Sequence, residues 1–225
     1  LNIPSLSIVT PASRMQAKLA MDLNAFADTL PGSLSANLNA RLGFADMAAL
    51  LPDMKPYVSR MPYAFIDVKG EMKGNMQKVH VPVFSLQIPG AMTARADGWL
   101  QNLTDIDRLK GHMAFAVRTQ QIDAIRRVLP AETAASFRLP SGMALDGKVA
   151  FDGAQYNVKA QLREGGGNAM AAVRLNTRNM AYDAKINAHR LQLGHFLPGM
   201  GLQALTGQIA AAGRGTDMFA PHTVA

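Results

Sequence analysis

The chain reads as mostly β: an elongated, curved antiparallel sheet, groove- or taco-like, built from repeated strand modules with two or three short capping helices. Two observations predict this. Apolar and polar residues alternate strictly over many short runs, the two-residue period of a strand with one dry face. A short apolar turn closed by Leu-Pro also recurs, at Leu51-Pro52, Leu129-Pro130 and Leu197-Pro198. Self-similarity at a long period marks an array in which each unit buries its apolar face against its neighbours.

The first clear strand places Met15, Ala17, Leu19, Met21 and Leu23 opposite Gln16, Lys18, Ala20 and Asp22. The next sets Leu34, Ala36, Leu38, Ala40 and Leu42 against Ser35, Asn37, Asn39 and Arg41. Ile66, Val68 and Met72 lie opposite Asp67, Lys69 and Glu71. Further on, Tyr156, Val158, Ala160 and Leu162 face away from Asn157, Lys159 and Gln161, and Tyr182, Ala184, Ile186 and Ala188 from Asp183, Lys185, Asn187 and His189. Val79 to Ile88 contains Pro82, which removes a ladder donor, so this run is an edge strand or is bulged.

Turn signals punctuate these runs at Pro31-Gly32, Gly74-Asn75, Pro89-Gly90, Asp97-Gly98, Ser141-Gly142, Asp152-Gly153 and Gly165-Gly166-Gly167. Asp152-Gly153 suits a tight hairpin, because both residues tolerate positive φ. Helical spacing is confined to the closures: Phe44, Met47, Ala48 and Leu51, then Ile122, Ile125 and Leu129, then Leu191 to Pro198. Segments of two or three turns need packing to persist, so they are expected to cap or plug an end of the sheet. The chain divides as one elongated segment, residues 1–225, in units of roughly 1–60, 61–138, 139–201 and a partial 202–225. Its abrupt start and the pattern still running at its end predict an excised segment of a longer protein.

Composition narrows the function classes. Of 225 residues, 48% are hydrophobic and 17% charged, and mean hydropathy is +0.02, which excludes a chain disordered by charge. Net charge is +7 and the isoelectric point about 9.9, but the cations are scattered singly along polar strand faces and aromatics reach only 6%. Stacking platforms for single strands are therefore lacking, and nucleic acid is not a predicted partner. With no cysteine there is no disulfide framework, thiolate site or cysteine nucleophile. No secretory signal and no apolar run of membrane-spanning length is present.

Reactive constellations are also missing from the sequence. His80, His112, His189, His195 and His222 form no ligand pair at helical spacing and read as isolated surface histidines. Asp105-Ile106-Asp107 is too short for a calcium loop. Gly165-Gly166-Gly167-Asn168 is followed by neither Lys-Ser/Thr nor a helix, and no Gly-x-Ser-x-Gly elbow occurs. No enzyme, catalytic residue, metal or cofactor is predicted. Trp99, the single tryptophan, reads as a buried anchor near a turn in preference to a ligand-contacting aromatic.

One ordered set of motifs does carry a resemblance. Leu145-Asp146-Gly147-Lys148-Val149 is followed by the strand Tyr182 to His189, by Leu191-Gln192-Leu193-Gly194, by Leu205-Thr206-Gly207-Gln208-Ile209, and by Gly213-Arg214-Gly215-Thr216-Asp217. This order resembles the repeating strand modules of the TamB and AsmA-like envelope proteins, over roughly residues 139 to 217 with a weaker echo over 61 to 138. Met218 stands where such modules often have Pro.

The resemblance implies a periplasm-spanning scaffold, anchored in the inner membrane outside this segment. Outer-membrane assembly and inter-membrane phospholipid transport would be its tasks. Acyl chains would lie on an apolar concave face at inward positions such as Leu38, Val68, Phe115, Val117, Val149, Val158 and Ile186. The 14 methionines suit an adaptable wall as well as they suit plain core filler. The alternative is a non-enzymatic structural or interaction module. Its alternation would close on itself as a sandwich or barrel, and its edge strands would dock a protein partner such as an outer-membrane β-barrel. A carbohydrate-associated β domain is disfavoured by the shortage of aromatics.

Overall fold

The computed structural model describes residues 1–27, 29–51, 53, 55–58, 64–103, 105–121, 140–197, 201 and 203–215. Twelve strands form one antiparallel sheet in which each pairs only with its sequence neighbours. They are β1 (Asn2–Val9), β2 (Arg14–Met21), β3 (Leu34–Gly43), β4 (Phe65–Asn75), β5 (Lys78–Ile88), β6 (Met92–Gln101), β7 (Lys110–Thr119), β8 (Ala144–Asp152), β9 (Gln155–Glu164), β10 (Gly167–Asn176), β11 (Ala181–Gln192) and β12 (Ala204–Arg214). The sheet is an open meander, with β1 and β12 at its two edges.

Short turns make most of the connections. Met76-Gln77, Gly153-Ala154 and Gly165-Gly166 are two-residue hairpin loops, with Gly153 and Gly165 at φ +52° and +54°. The connections that carry the three Leu-Pro closures leave β3, β7 and β11. In a meander, strands of one parity end on the same side, so these three connections leave the sheet from one end, four strands apart. The first contains α1 (Phe44–Leu50) and α2 (Lys55–Val58), and the third contains α3 (Leu193–Phe196). The second, expected over Gln121 to Pro130, falls almost wholly outside the described residues.

Several local expectations are corrected. Leu23 lies beyond β2 and is 94% exposed. Asp97-Gly98 is not a turn but the interior of β6, and Gly74-Asn75 closes β4 ahead of its hairpin loop. The Pro82 run resolves as the bulged case in an interior strand, β5. Its register slips between Val81 and Phe84 against β6 and between Glu71 and Lys73 against β4. The missing donor thus sits where pairing is already interrupted.

Polar contacts fasten α1 to the sheet. Thr10 Oγ1 donates to Asp46 Oδ2, and Ser13 Oγ donates to the same oxygen at 2.5 Å, so the β1–β2 turn grips the first turn of the helix. The Ser13 hydroxyl, and then that of Thr10, hold the Asp46 carboxyl below the usual carboxylate range. Because the folded value is depressed, this contribution is present at neutral pH and is lost as pH falls through that value.

Glycines answer to the packing of one face. The Phe115 ring lies over Gly147, where a Cβ would overlap the ring and crowd the Lys159 carbonyl. At Gly70, on the same cross-strand row, a Cβ would meet only Phe84 Cδ2 at 3.8 Å. Gly147→Ala should therefore cost about 1–3 kcal/mol by overpacking, whereas Gly70→Ala should be neutral within about 0.5 kcal/mol. Urea unfolding of both variants checks the contrast. Asp46→Asn should destabilise at pH 7, with the difference from the parent shrinking as pH drops below about 4, the unfolded carboxylate range; denaturant midpoints across pH 2.5 to 7 measure it.

Candidate functional site

Register across the sheet assembles one continuous surface. Directly paired residues share a face, so a row can be followed from strand to strand. One row runs Leu6, Ala17, Leu38, Gly70, Phe84, Ala96, Phe115, Gly147, Ala160, Ala171, Ile186 and Ile209. The next row on the same face runs Ile8, Met15, Ala40, Val68, Leu86, Ala94, Val117, Leu145, Leu162, Ala169, Ala188 and Gly207. Neither contains a polar side chain in twelve strands. At about 4.8 Å between strands, the surface extends about 50 Å across the sheet.

The opposite face is its chemical inverse. The row Ser7, Gln16, Asn39, Lys69, Ser85, Arg95, Ala116, Asp146, Gln161, Met170, Asn187 and Gln208 is polar at all but two positions. Cross-strand ion pairs lie on this side: Arg41 with Asp67 at 2.8 Å, and Asp146 with Arg118 at 2.6 Å and Arg163 at 3.1 Å. Arg118, then Arg163, hold the Asp146 carboxyl below its ordinary range.

Among the described residues, no second layer seals the apolar face. Leu6, Phe84 and Ile209 on the first row are 42%, 41% and 45% exposed. Most of their neighbours are half-buried. Crowding within the face accounts for that: the Phe151 ring fills the space over Gly111 and stacks on Tyr156 with centroids 5.7 Å apart.

All seven residues that the sequence points to lie on this face. Leu38, Phe115 and Ile186 share the first row, and Val68 and Val117 the second. Val149 and Val158 are direct partners on a third row, which continues to Val173 and Ala184. Each is half-buried. Sequence reasoning missed Leu6, Ile8 and Phe84 because bulges break the alternation there, between Ile3 and Leu6 and between Val81 and Phe84.

One end of the face is covered by the protein itself. Leu193 and Phe196 of α3 pack on a cluster of Ala169, Ala188 and Leu191, joined by Leu162, Ile186 and Leu205. Ile186, expected to be a wall position, thus packs on the same cluster that α3 covers. In strand phase with these apolar residues stands Glu164, two positions beyond Leu162. Its side chain is 5% exposed; Oε1 accepts from His195 Nδ1 at 2.5 Å and Oε2 has no partner. His195 is therefore not an isolated surface histidine. Thr119, the other polar residue on this face, is satisfied: its hydroxyl donates to the Pro140 carbonyl at 2.7 Å and accepts from the Met143 amide at 2.8 Å.

Trp99 corrects the buried-anchor reading. It is half-buried on the polar face, between His80 and His112, with Lys78 Nζ 5.5 Å from the ring centroid. Among the described residues no three His, Asp or Glu side chains come together as a metal site, and no helix is long and apolar enough to cross a membrane. No family model, curated protein or solved structure matches the chain.

The Glu164–His195 pair makes a specific demand. His195→Ala should destabilise by about 1–3 kcal/mol, because it leaves a buried carboxylate wholly unpartnered. Adding Glu164→Leu on that background should recover most of the loss, since the site is otherwise apolar. A double-mutant cycle by denaturant unfolding measures both steps.

Proposed function

We propose that this chain is a lipid-handling segment of an envelope scaffold, in which phospholipid acyl chains lie along the apolar face and no catalytic step occurs. The observation that carries the reading is the run of apolar rows through all twelve strands on an open face. An ordinary β core would put a second layer there. Removing methylenes from water is worth about 0.8 kcal/mol each, so a face of this extent favours long alkyl chains without selecting among them. Phe84 stands between the small residues Gly70 and Ala96 on the first row, and Phe115 between Ala96 and Gly147.

The TamB- and AsmA-like resemblance supports the finer form of this reading. In that form the whole protein is anchored in the inner membrane, spans the periplasm, and serves outer-membrane assembly and phospholipid movement between membranes. A second reading, an interaction module for a protein such as an outer-membrane β-barrel, is favoured by the edges. β1 carries no charged side chain and β12 only Arg214, so neither edge carries the charges that usually deter strand addition.

Native mass spectrometry with lipid extraction, on protein purified from a diderm host, tests the first reading. The parent should carry phospholipid, and Val149→Asp/Val158→Asp should lose it. Asn157→Asp, next to Val158 but on the polar face, should keep it. Circular dichroism establishes that each variant is folded. A folded, lipid-free parent that also refuses added phospholipid would sink the lipid reading and leave the interaction module.

A further inference from the structure

The polar face holds a cluster of cations that the sequence does not announce. Lys148 on β8 pairs directly with Lys159 on β9, Lys159 with Ala172 on β10, and Ala172 with Lys185 on β11. Residues separated by up to 37 positions thus stand in one row. Arg174 lies one row away, paired across the strands with Asn157 and Asp183. Like charges directly opposite each other destabilise a sheet, so the Lys148–Lys159 pair opposes folding unless something offsets it.

Nothing within the described residues does. None of Lys148, Lys159, Arg174 and Lys185 has a carboxylate within ion-pair distance. The nearby acids are engaged elsewhere, Asp146 by Arg118 and Arg163 and Asp152 by Lys110. Asp183 is the one acid in the cluster, which keeps a local excess of three positive charges among these five residues.

The cluster also has a shape. A depression of about 380 Å³ is lined by Lys159, Lys185, Arg174, Asn157 and Asp183, with Ala172 as part of its floor. Ala172 lacks a long side chain between the two lysines, whose strands stand about 10 Å apart. Two ammonium groups and a guanidinium can therefore reach inward toward one bound anion.

We propose that this notch is a binding site for a phosphate-bearing group, on the face opposite the apolar groove. Three cationic donors, one of them a planar fork, match the several acceptor oxygens of a phosphate monoester or diester. Asp183 favours a group that also presents a donor, such as a hydroxyl, to the rim. A free phosphate and a phospholipid headgroup offer the same chemistry, and the test separates them.

Lys159→Gln/Lys185→Gln is compared with Lys18→Gln/Lys69→Gln, which removes the same charge elsewhere on the polar face. Each is titrated with inorganic phosphate by calorimetry, and with vesicles of phosphatidylcholine with and without phosphatidylglycerol by cosedimentation. The notch variant should lose at least about tenfold in affinity while the control changes less than about twofold. Loss seen with inorganic phosphate assigns a free phosphate group; loss confined to phosphatidylglycerol vesicles assigns a headgroup. Equal losses in both variants, or a parent that binds neither probe, overturn the proposal. Co-purified lipid should be unchanged in the notch variant, so failure here is distinct from failure of the groove.

Discussion

The structure depends on strand register being kept in phase across twelve strands. Side chains alternate with a period of two, so one uncorrected slip between any two neighbours would turn every later apolar residue to the wet side. The chain contains slips, yet the phase survives them. At Pro82 the extra residue lets Val79 and Val81 share a face with Phe84, Leu86 and Ile88, although the parity of their numbers changes. Near Arg190, at φ +50°, the same device carries Ala188 and Leu191 on one face against Gly207 and Leu205. Both faces keep their chemistry because each irregularity is confined to the strand that contains it.

A one-layer sheet has to find its stability without a second layer to cover it. Part comes from crowding within the curved face, where rings such as Phe115 and Phe151 fill the space over glycines of the next strand. Part comes from the closures, with Phe44 of α1 buried at one site and α3 seated on Ala169, Ala188 and Leu191 at another. Ion pairs on the polar face are exposed and add little, though they favour the observed register. Because every strand contacts only its neighbours, such a sheet is stabilised nearly one-dimensionally, as in other repeat arrays. The same economy leaves apolar side chains such as Leu6, Phe84 and Ile209 exposed, and the proposed lipid-handling role rests on that surface.

Glu164 marks where the two chemistries meet. It holds an apolar-face position at the end of β9, where a leucine would pack, and one of its oxygens is hydrogen-bonded to His195 from the α3 closure. A buried carboxylate with one orphaned oxygen fixes the site of α3 more sharply than apolar contact alone, because displacing α3 removes its one partner. Neither residue stood out in the chain, being 31 positions apart and flanked by ordinary strand and turn signals.

Taken alone, the sequence determined the side-chain period, and with it the strands, most of the turns, the helices of the first and third closures and the face each residue occupies within its own strand. That is why Leu38, Val68, Phe115, Val117, Val149, Val158 and Ile186 were all legible as one set. Only the tertiary structure decided which strands stand side by side and in what register. It therefore decided that the apolar rows run unbroken, that α3 covers part of the face while Leu6, Phe84 and Ile209 stay exposed, and that Lys148, Lys159 and Lys185 form a cluster. Alternation is a local property, written within a few residues by the pleat of the backbone. Register and curvature are set by cross-strand pairing and by bulges, which join residues far apart in the chain and shift the phase where periodicity is hardest to read.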